Sequence, residues 1–119
     1  IIKKYPGKIL NIHPSLLPKY KGLNTHEQIL INRDEFHGAT VHFVNEELDN
    51  GPLIIQGKFK VGKDETIKSI GKKVHEIEYQ IYPLAIKWYA DGLIRQNNNH
   101  FLFNKIEVAS PIQHIAESS

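Results

Sequence analysis

The chain has 119 residues, 40% of them hydrophobic, with a formal net charge of +2 and no cysteine. This length suits one domain, and the balanced charge gives no reason to expect a nucleic-acid partner. Without cysteine there are no disulfides and no thiolate chemistry, which fits a cytoplasmic setting. No apolar run approaches the ~20 residues that cross a bilayer, so we expect no membrane partner.

The first residues, IIKKYPGKIL, read like a chain already in progress, because no methionine occurs anywhere in the sequence. We therefore expect residues 1–119 to be the C-terminal part of a domain whose N-terminal half is absent. Lys8 to His13 then predicts a short strand that Pro14 ends. Side chains alternate between faces with period two, so Asn11 and His13 share one face of this strand.

Two prolines and a glycine predict a loop over residues 14–24. Thr25 to Gln28 has the spacing of a capping box and predicts a short helix. The alternation in residues 38–45 and the apolar segment 53–61 predict two antiparallel strands, joined by the acidic turn 46–52.

The longest signal covers residues 64–92 and predicts a helix with one apolar stripe. Pro83 should kink or break this helix, and Gly92 lies where a C-terminal cap belongs. The stripe consists of Ile67, Ile70, Val74, Ile77, Ile81, Leu84 and Trp88.

A small hairpin is predicted over residues 93–104, and about 105–119 is expected to be a tail. Strands and helices mix, so the fold class is α/β. One long kinked helix covers only one face of a sheet, which again suggests that a half is missing.

The side chains of Asn11 and His13 can carry chemistry together. An amide that donates hydrogen bonds and an imidazole that holds or gives a proton can stabilise an oxyanion and move its proton. The alternative is a histidine bonded to backbone beside a capping asparagine. Asp49 could orient an imidazole as its carboxylate partner, or it could cap its own turn before Asn50 and Gly51.

The seven histidines do not have metal-ligand spacing, and there is no cysteine, so we expect no metal. A glycine-rich loop that would cradle a phosphate is also lacking from the sequence.

Three segments together resemble the phosphoribosylglycinamide formyltransferase (GAR transformylase) family of purine synthesis: NIHPSLLPKYKGLNTHEQIL, GATVHFVNEELDNGPLI and IYPLAIKWYADG. The resemblance runs in order from about residue 1 to about residue 95. It implies a formyltransferase-type fold with a mixed, Rossmann-like sheet. It also implies transfer of a formyl group from 10-formyltetrahydrofolate to the amine of glycinamide ribonucleotide, with no metal.

The resemblance also implies site residues. The family's catalytic triad falls on Asn11, His13 and Asp49. The folate-binding loop falls on Glu46, Glu47, Leu48, Asp49, Asn50 and Gly51, with His42 near the formyl group. Substrate contacts fall on Ile12, Pro14, His75 and Glu78, although His75 replaces a family glutamine.

Two other functions stay open. A formyltetrahydrofolate hydrolase would use a similar triad with water as the acceptor. A non-catalytic folate-binding or assembly fragment would bind without turnover. The missing N-terminal half, which carries the family's phosphate loop, is an implied partner, and we expect the fragment alone to be inactive. A homodimer is left open.

Overall fold

A computed structural model describes residues 9–20, 22, 24–44, 51–97 and 100–115. The elements in chain order are β1 (Ile9–His13), α1 (Thr25–Asn32), β2 (Phe36–Val44), β3 (Leu53–Lys60), α2 (Ile67–Ala90), β4 (Ile94–Asn97), β5 (His100–Phe103), β6 (Ile106–Val108) and β7 (Ile112–Ile115). A mixed α/β architecture is therefore confirmed.

Within this part of the chain, β1, β2, β3 and β7 form one sheet in that order. β1, β2 and β3 pair antiparallel, and β7 joins β3 in parallel, so the sheet is mixed. β2 is buried on both faces from His37 to Val44. One face packs against α2, and the loop after β1 bonds to the other face through Thr40.

Helix α2 begins with a reciprocal cap that the sequence analysis did not identify. The Thr66 hydroxyl accepts from the Ser69 amide at 3.1 Å, and the Ser69 hydroxyl accepts from the Thr66 amide at 2.8 Å. The helix ends as predicted, since Gly92 follows it in the left-handed region with φ 74°. The buried stripe comprises Ile70, Val74, Ile77, Ile81 and Ala85.

Of the kink or break expected at Pro83, the break is wrong, because α2 runs as one helix from Ile67 to Ala90 through this residue. Pro83 removes one donor to the helix turn before it, and the exposed position of the ring leaves that turn next to solvent. Ile67 and Leu84 of the predicted stripe are 52% and 38% exposed, so they lie at its border.

Two further predictions need correction. Thr25 does not cap α1: Asn24 is the N-cap residue, and the Thr25 hydroxyl instead donates to the Pro14 carbonyl at 2.8 Å. Residues 106–115 are not a tail, since they supply β6 and β7, and 116–119 lie outside the described residues. The predicted hairpin is confirmed as β4 and β5, which β6 extends into a second, three-stranded sheet.

Candidate functional site

The structure places Asn11 and His13 on one face of β1 beside two residues of β2. Asn11 is opposite His42, and His13 is opposite Thr40. Directly opposed residues of antiparallel strands point to the same face. His42, predicted to lie near the formyl group, is therefore a cross-strand neighbour of Asn11.

The imidazole of His13 is held from one side. Its Nε2 atom lies 2.8 Å from the carbonyl oxygen of Tyr20. Because a carbonyl can only accept, Nε2 must carry a hydrogen. The nitrogen that can gain and give a proton is therefore Nδ1. The bond to backbone is the feature that the alternative interpretation of His13 anticipated, and it leaves one ring nitrogen available for chemistry.

Asn11 is exposed, and its Oδ1 atom accepts from the amide of Ile12 at 2.9 Å. With Oδ1 engaged, the Nδ2 group is the part of this amide that can donate to a ligand. His42 is buried, and its Nδ1 donates to the carbonyl of Phe43 at 2.9 Å. Two donors, the Asn11 amide and the His13 ring, thus share one face of an edge strand of the described sheet. We call this face, which His42 of β2 shares, the donor face.

The loop after β1 is fixed by a buried polar network that sequence reasoning missed. The Thr40 hydroxyl donates to the Ser15 carbonyl at 2.7 Å and accepts from the Leu17 amide at 3.1 Å. The Gln56 amide donates to the Leu17 carbonyl at 2.7 Å. Gln113 of β7 in turn donates to Gln56 Oε1 at 2.9 Å. Polar residues at Thr40 and Gln56, inside strands that are otherwise buried, were the available signal.

A second group of predicted residues lies on the other face of β1, against α2. A cavity of about 270 Å³ is lined by Ile12, His75, Glu78, Tyr79, Tyr82 and Pro83. His75 Nδ1 and Glu78 Oε1 are 3.0 Å apart. Three of the four predicted substrate residues therefore meet at one cavity. Pro14 is not among the lining residues, and its carbonyl accepts from the Thr25 hydroxyl in the loop after β1.

The folate-loop prediction can be placed only at its end. Glu46, Glu47, Leu48, Asp49 and Asn50 lie outside the described residues. Gly51 donates its N–H to the Phe43 carbonyl at 2.6 Å, and a Cβ on Gly51 would lie 2.6 Å from the same oxygen. Glycine is required here by contact with Phe43, so the structure gives Gly51 a role in closing the base of the loop.

A histidine pair lies between α1 and β2, outside the residues that the sequence analysis selected. His26 Nδ1 and His37 Nε2 are 3.0 Å apart. Burial, followed by the proximity of His26, lowers the pKa of His37 to about 4, although Asp34 acts in the opposite direction. Burial also lowers the pKa of His26, with Glu78 opposing and His75 reinforcing this shift.

In the part of the chain that the structure describes, no three His, Cys, Asp or Glu residues come together as metal ligands would. None of the described helices is long and apolar enough to cross a membrane.

The chain belongs to a transferase family, because residues 1–86 match the family model described as formyl transferase. It is 50% identical over 97 residues to the phosphoribosylglycinamide formyltransferase of Haemophilus influenzae, covering 82% of this chain and 46% of the relative. The Escherichia coli enzyme of the same name is 51% identical over 98 residues, with the same coverage.

Solved structures agree. The phosphoribosylglycinamide formyltransferase of Coxiella burnetii matches with a TM-score of 0.87 and 38% identity, over 95% of this chain and 54% of that one. A formyltetrahydrofolate deformylase from Pseudomonas syringae matches with a TM-score of 0.79 and 26% identity, over 84% of this chain and 34% of that one. The formyltransferase type of fold is thereby confirmed. The chain spans about half the length of the curated bacterial relatives it matches.

Proposed function

We propose that this chain supplies the formyl-transfer face of a phosphoribosylglycinamide formyltransferase that works in cytoplasmic purine synthesis. The observation that carries the proposal is the shared face of Asn11, His13 and His42, in a chain about 50% identical to relatives with that name. The formyl donor would be 10-formyltetrahydrofolate, and the acceptor would be the amine of glycinamide ribonucleotide.

In the proposed reaction the amine attacks the formyl carbon, and a C–N bond forms while the carbonyl electrons move to oxygen. The Asn11 Nδ2 group and protonated His13 would donate to this oxyanion. Because Tyr20 holds Nε2 of His13, the donating atom is Nδ1. The amine then loses a proton, the bond to N10 of the folate breaks, and N10 takes up a proton.

Asp49 would keep His13 charged and relay the proton through water. The pteridine would bind to backbone of residues 46–51, with His42 close to the formyl group. This assignment rests on the resemblance, and Gly51 supports it by closing the loop against Phe43.

The ribonucleotide would extend from the donor face toward the cavity at α2. Glu78, with its side chain 21% exposed, would accept from ribose hydroxyls, and His75 and Ile12 would line the same cavity. The phosphate needs backbone N–H groups or basic side chains. Since this chain has no glycine-rich loop, the phosphate cradle falls to the part of the relatives that the chain does not match.

The deformylase function is the second candidate, because the Pseudomonas syringae match shares the fold. It would use the same donor face but would pass the formyl group to water. Higher identity to the formyltransferases favours transfer to the amine. A binding fragment without turnover is the third candidate.

The deciding experiment uses a chimera in which this chain replaces the matching segment of the Haemophilus influenzae relative. We expect formyl transfer that requires glycinamide ribonucleotide, and no transfer by the 119-residue chain alone. His13→Ala should abolish turnover while both ligands still bind, and His100→Ala, in the second sheet, is the control. Formate release without ribonucleotide would establish the deformylase instead. Ligand binding without either product would establish the binding fragment.

A further inference from the structure

Tyr20 has an unusual backbone conformation directly beside the candidate site. Its φ is 54°, in the left-handed region that a bulky residue rarely adopts. Its carbonyl oxygen accepts from His13 Nε2 at 2.8 Å. The Ser15 hydroxyl lies 3.1 Å from the same oxygen and 2.7 Å from the Lys19 carbonyl, so its single hydrogen is shared with Lys19. Such a conformation persists only where the surroundings determine it strongly.

The side chain of Tyr20 makes two hydrogen bonds that can hold this backbone conformation. Its hydroxyl donates to Asp34 Oδ2 at 2.6 Å and accepts from Asn32 Nδ2 at 2.8 Å. The Asp34 side chain is 15% exposed, so this charge-assisted bond is partly shielded from water. Asn32 ends α1 and Asp34 lies just beyond it, which ties the phenol to the end of a helix.

We propose that Asp34 is a positioning residue for His13 that acts through Tyr20. Asp34 and Asn32 fix the phenol, the phenol fixes the left-handed backbone, and the Tyr20 carbonyl then holds His13 Nε2–H. The ring is thereby aimed so that Nδ1 faces the reacting groups. The hydrogen bond to one imidazole nitrogen decides what the other nitrogen can do.

This inference rests on the proposed function for the chemistry at Nδ1, but the orientation of the ring can be measured without turnover. If Asp34 had a purely structural role, its replacement would lower the stability of the fold without changing which nitrogen of His13 carries the hydrogen. The test must therefore read both the imidazole and the rate.

The variants are Tyr20→Phe, which removes only the hydroxyl, and Asp34→Ala. Asp34→Asn keeps an oxygen that can accept from the phenol, so it serves as the conservative rescue. Tyr89→Phe is the matched control, because Tyr89 is a partly buried tyrosine that packs on Phe43 away from this loop. All are made in the chimera described above, labelled with ¹⁵N in the histidine rings.

We expect the neutral His13 ring of the parent to carry its hydrogen on Nε2. Tyr20→Phe and Asp34→Ala should shift the ring toward a mixture of tautomers and lower kcat about tenfold, with KM for both substrates little changed, as is typical when a partner that orients an active-site group is lost. Asp34→Asn should restore most of both properties, and Tyr89→Phe should change neither.

A parent His13 with its hydrogen on Nδ1 would overturn the proposal. An unchanged tautomer in Tyr20→Phe and Asp34→Ala would overturn it as well, whatever the rate does, and so would a shifted tautomer with unchanged kcat. If the parent chimera itself transfers no formyl group, the proposed function fails, and the tautomer comparison still decides whether Asp34 orients the ring.

Discussion

His26 and His37 face each other with Nδ1 of the first 3.0 Å from Nε2 of the second. His37 is fully buried, and its Nδ1 atom has no hydrogen-bond partner among the described residues. The hydrogen bond between the rings uses one hydrogen, on either His26 Nδ1 or His37 Nε2. If this bond is kept, protonation of either ring requires Nδ1 of His37 to carry a hydrogen as well. The pair therefore resists protonation as a unit.

The first prediction is that folding stability falls on acidification. The pKa of His37 is lowered from 6.5 to about 4 in the folded protein. The unfolded chain takes up this proton below pH 6.5 and the folded chain does not. The contribution of His37 to the free energy of unfolding is thus fully present above about pH 6.5. It decreases as the pH falls toward about 4, by up to about 3 kcal/mol.

Urea unfolding of the chimera between pH 7.5 and 4.5 measures this slope. His37→Gln should flatten it. His100→Gln, at a partly exposed histidine of the second sheet, is the control. Asp34, Glu78, His75 and the Lys73 ammonium over the Phe59 ring are the other charges near the pair. An undiminished slope in His37→Gln would assign the acid sensitivity to those groups.

The second prediction concerns the donor of Asn11. Both Asn11→Ala and Asn11→Asp remove the Nδ2 donor, but the aspartate keeps the acceptor for the Ile12 amide. Each should lower kcat by about 10²–10³ with smaller changes in KM, because in the proposed reaction the donor acts on charge that develops in the transition state. Steady-state kinetics of the chimera measures this. A fully active Asn11→Asp variant would remove the amide from the mechanism.

The third prediction concerns Glu78 at the α2 cavity. Glu78→Gln should raise KM for the ribonucleotide by about tenfold or more, because hydrogen bonds to a charged group contribute about 1.5–3 kcal/mol. The folate KM should stay near its starting value. Glu76→Gln, an exposed neighbour on the same helix, is the control. Equal losses for both substrates would place the role of Glu78 in folding rather than in ribose binding.

The fourth prediction concerns the base of the folate loop. An added Cβ at Gly51 would meet the Phe43 carbonyl at 2.6 Å and push this end of the loop outward. Gly51→Ala should weaken folate binding, and Gly51→Val should weaken it further, while ribonucleotide binding is largely kept. Titration with each ligand separately measures this. Parallel loss of both affinities would indicate general misfolding.

The fifth prediction is an energetic coupling between strand and helix. A Cβ at Gly57 of β3 would overlap the Ile77 side chain of α2, so Gly57→Ala should destabilise the fold by about 1–3 kcal/mol. Ile77→Ala makes room and should reduce that penalty. A double-mutant cycle by urea unfolding measures the interaction. Strict additivity would contradict the close approach of strand and helix.

Secondary-structure elements with a strong local pattern were predictable from the sequence. Alternation identified β2, an apolar segment identified β3, and the apolar stripe identified α2. β7 was missed because its residues form a strand through pairing with β3, a partner far away in the sequence. The Thr25 cap was wrong for a similar reason, since Pro14 takes the hydroxyl that a local motif would have used.

The candidate site was also predictable only in part from local patterns. Period-two alternation placed Asn11 and His13 on one face, because this needs only a strand. The bond from His13 to Tyr20 depends on a left-handed tyrosine held by Asp34, and tyrosine gives no local signal for that conformation. Family resemblance selected Ile12, His75 and Glu78 at the α2 cavity. Glu78 lies more than sixty positions from β1, so no local pattern could connect the two.

The position of β7 bears on how the chain folds as it leaves the ribosome. β3 pairs with β2 on one side and with β7 on the other. The second edge of β3 stays unpaired until Ile112 can pair with Ile55. Pairing across such a sequence distance is slow, because the intervening chain must be ordered first. The hairpin of β2 and β3 can form early during synthesis, while the backbone N–H and C=O groups on the other edge of β3 are still unpaired. Only when residue 115 has emerged can β7 fill this edge, so until then it is open to pairing with other strands.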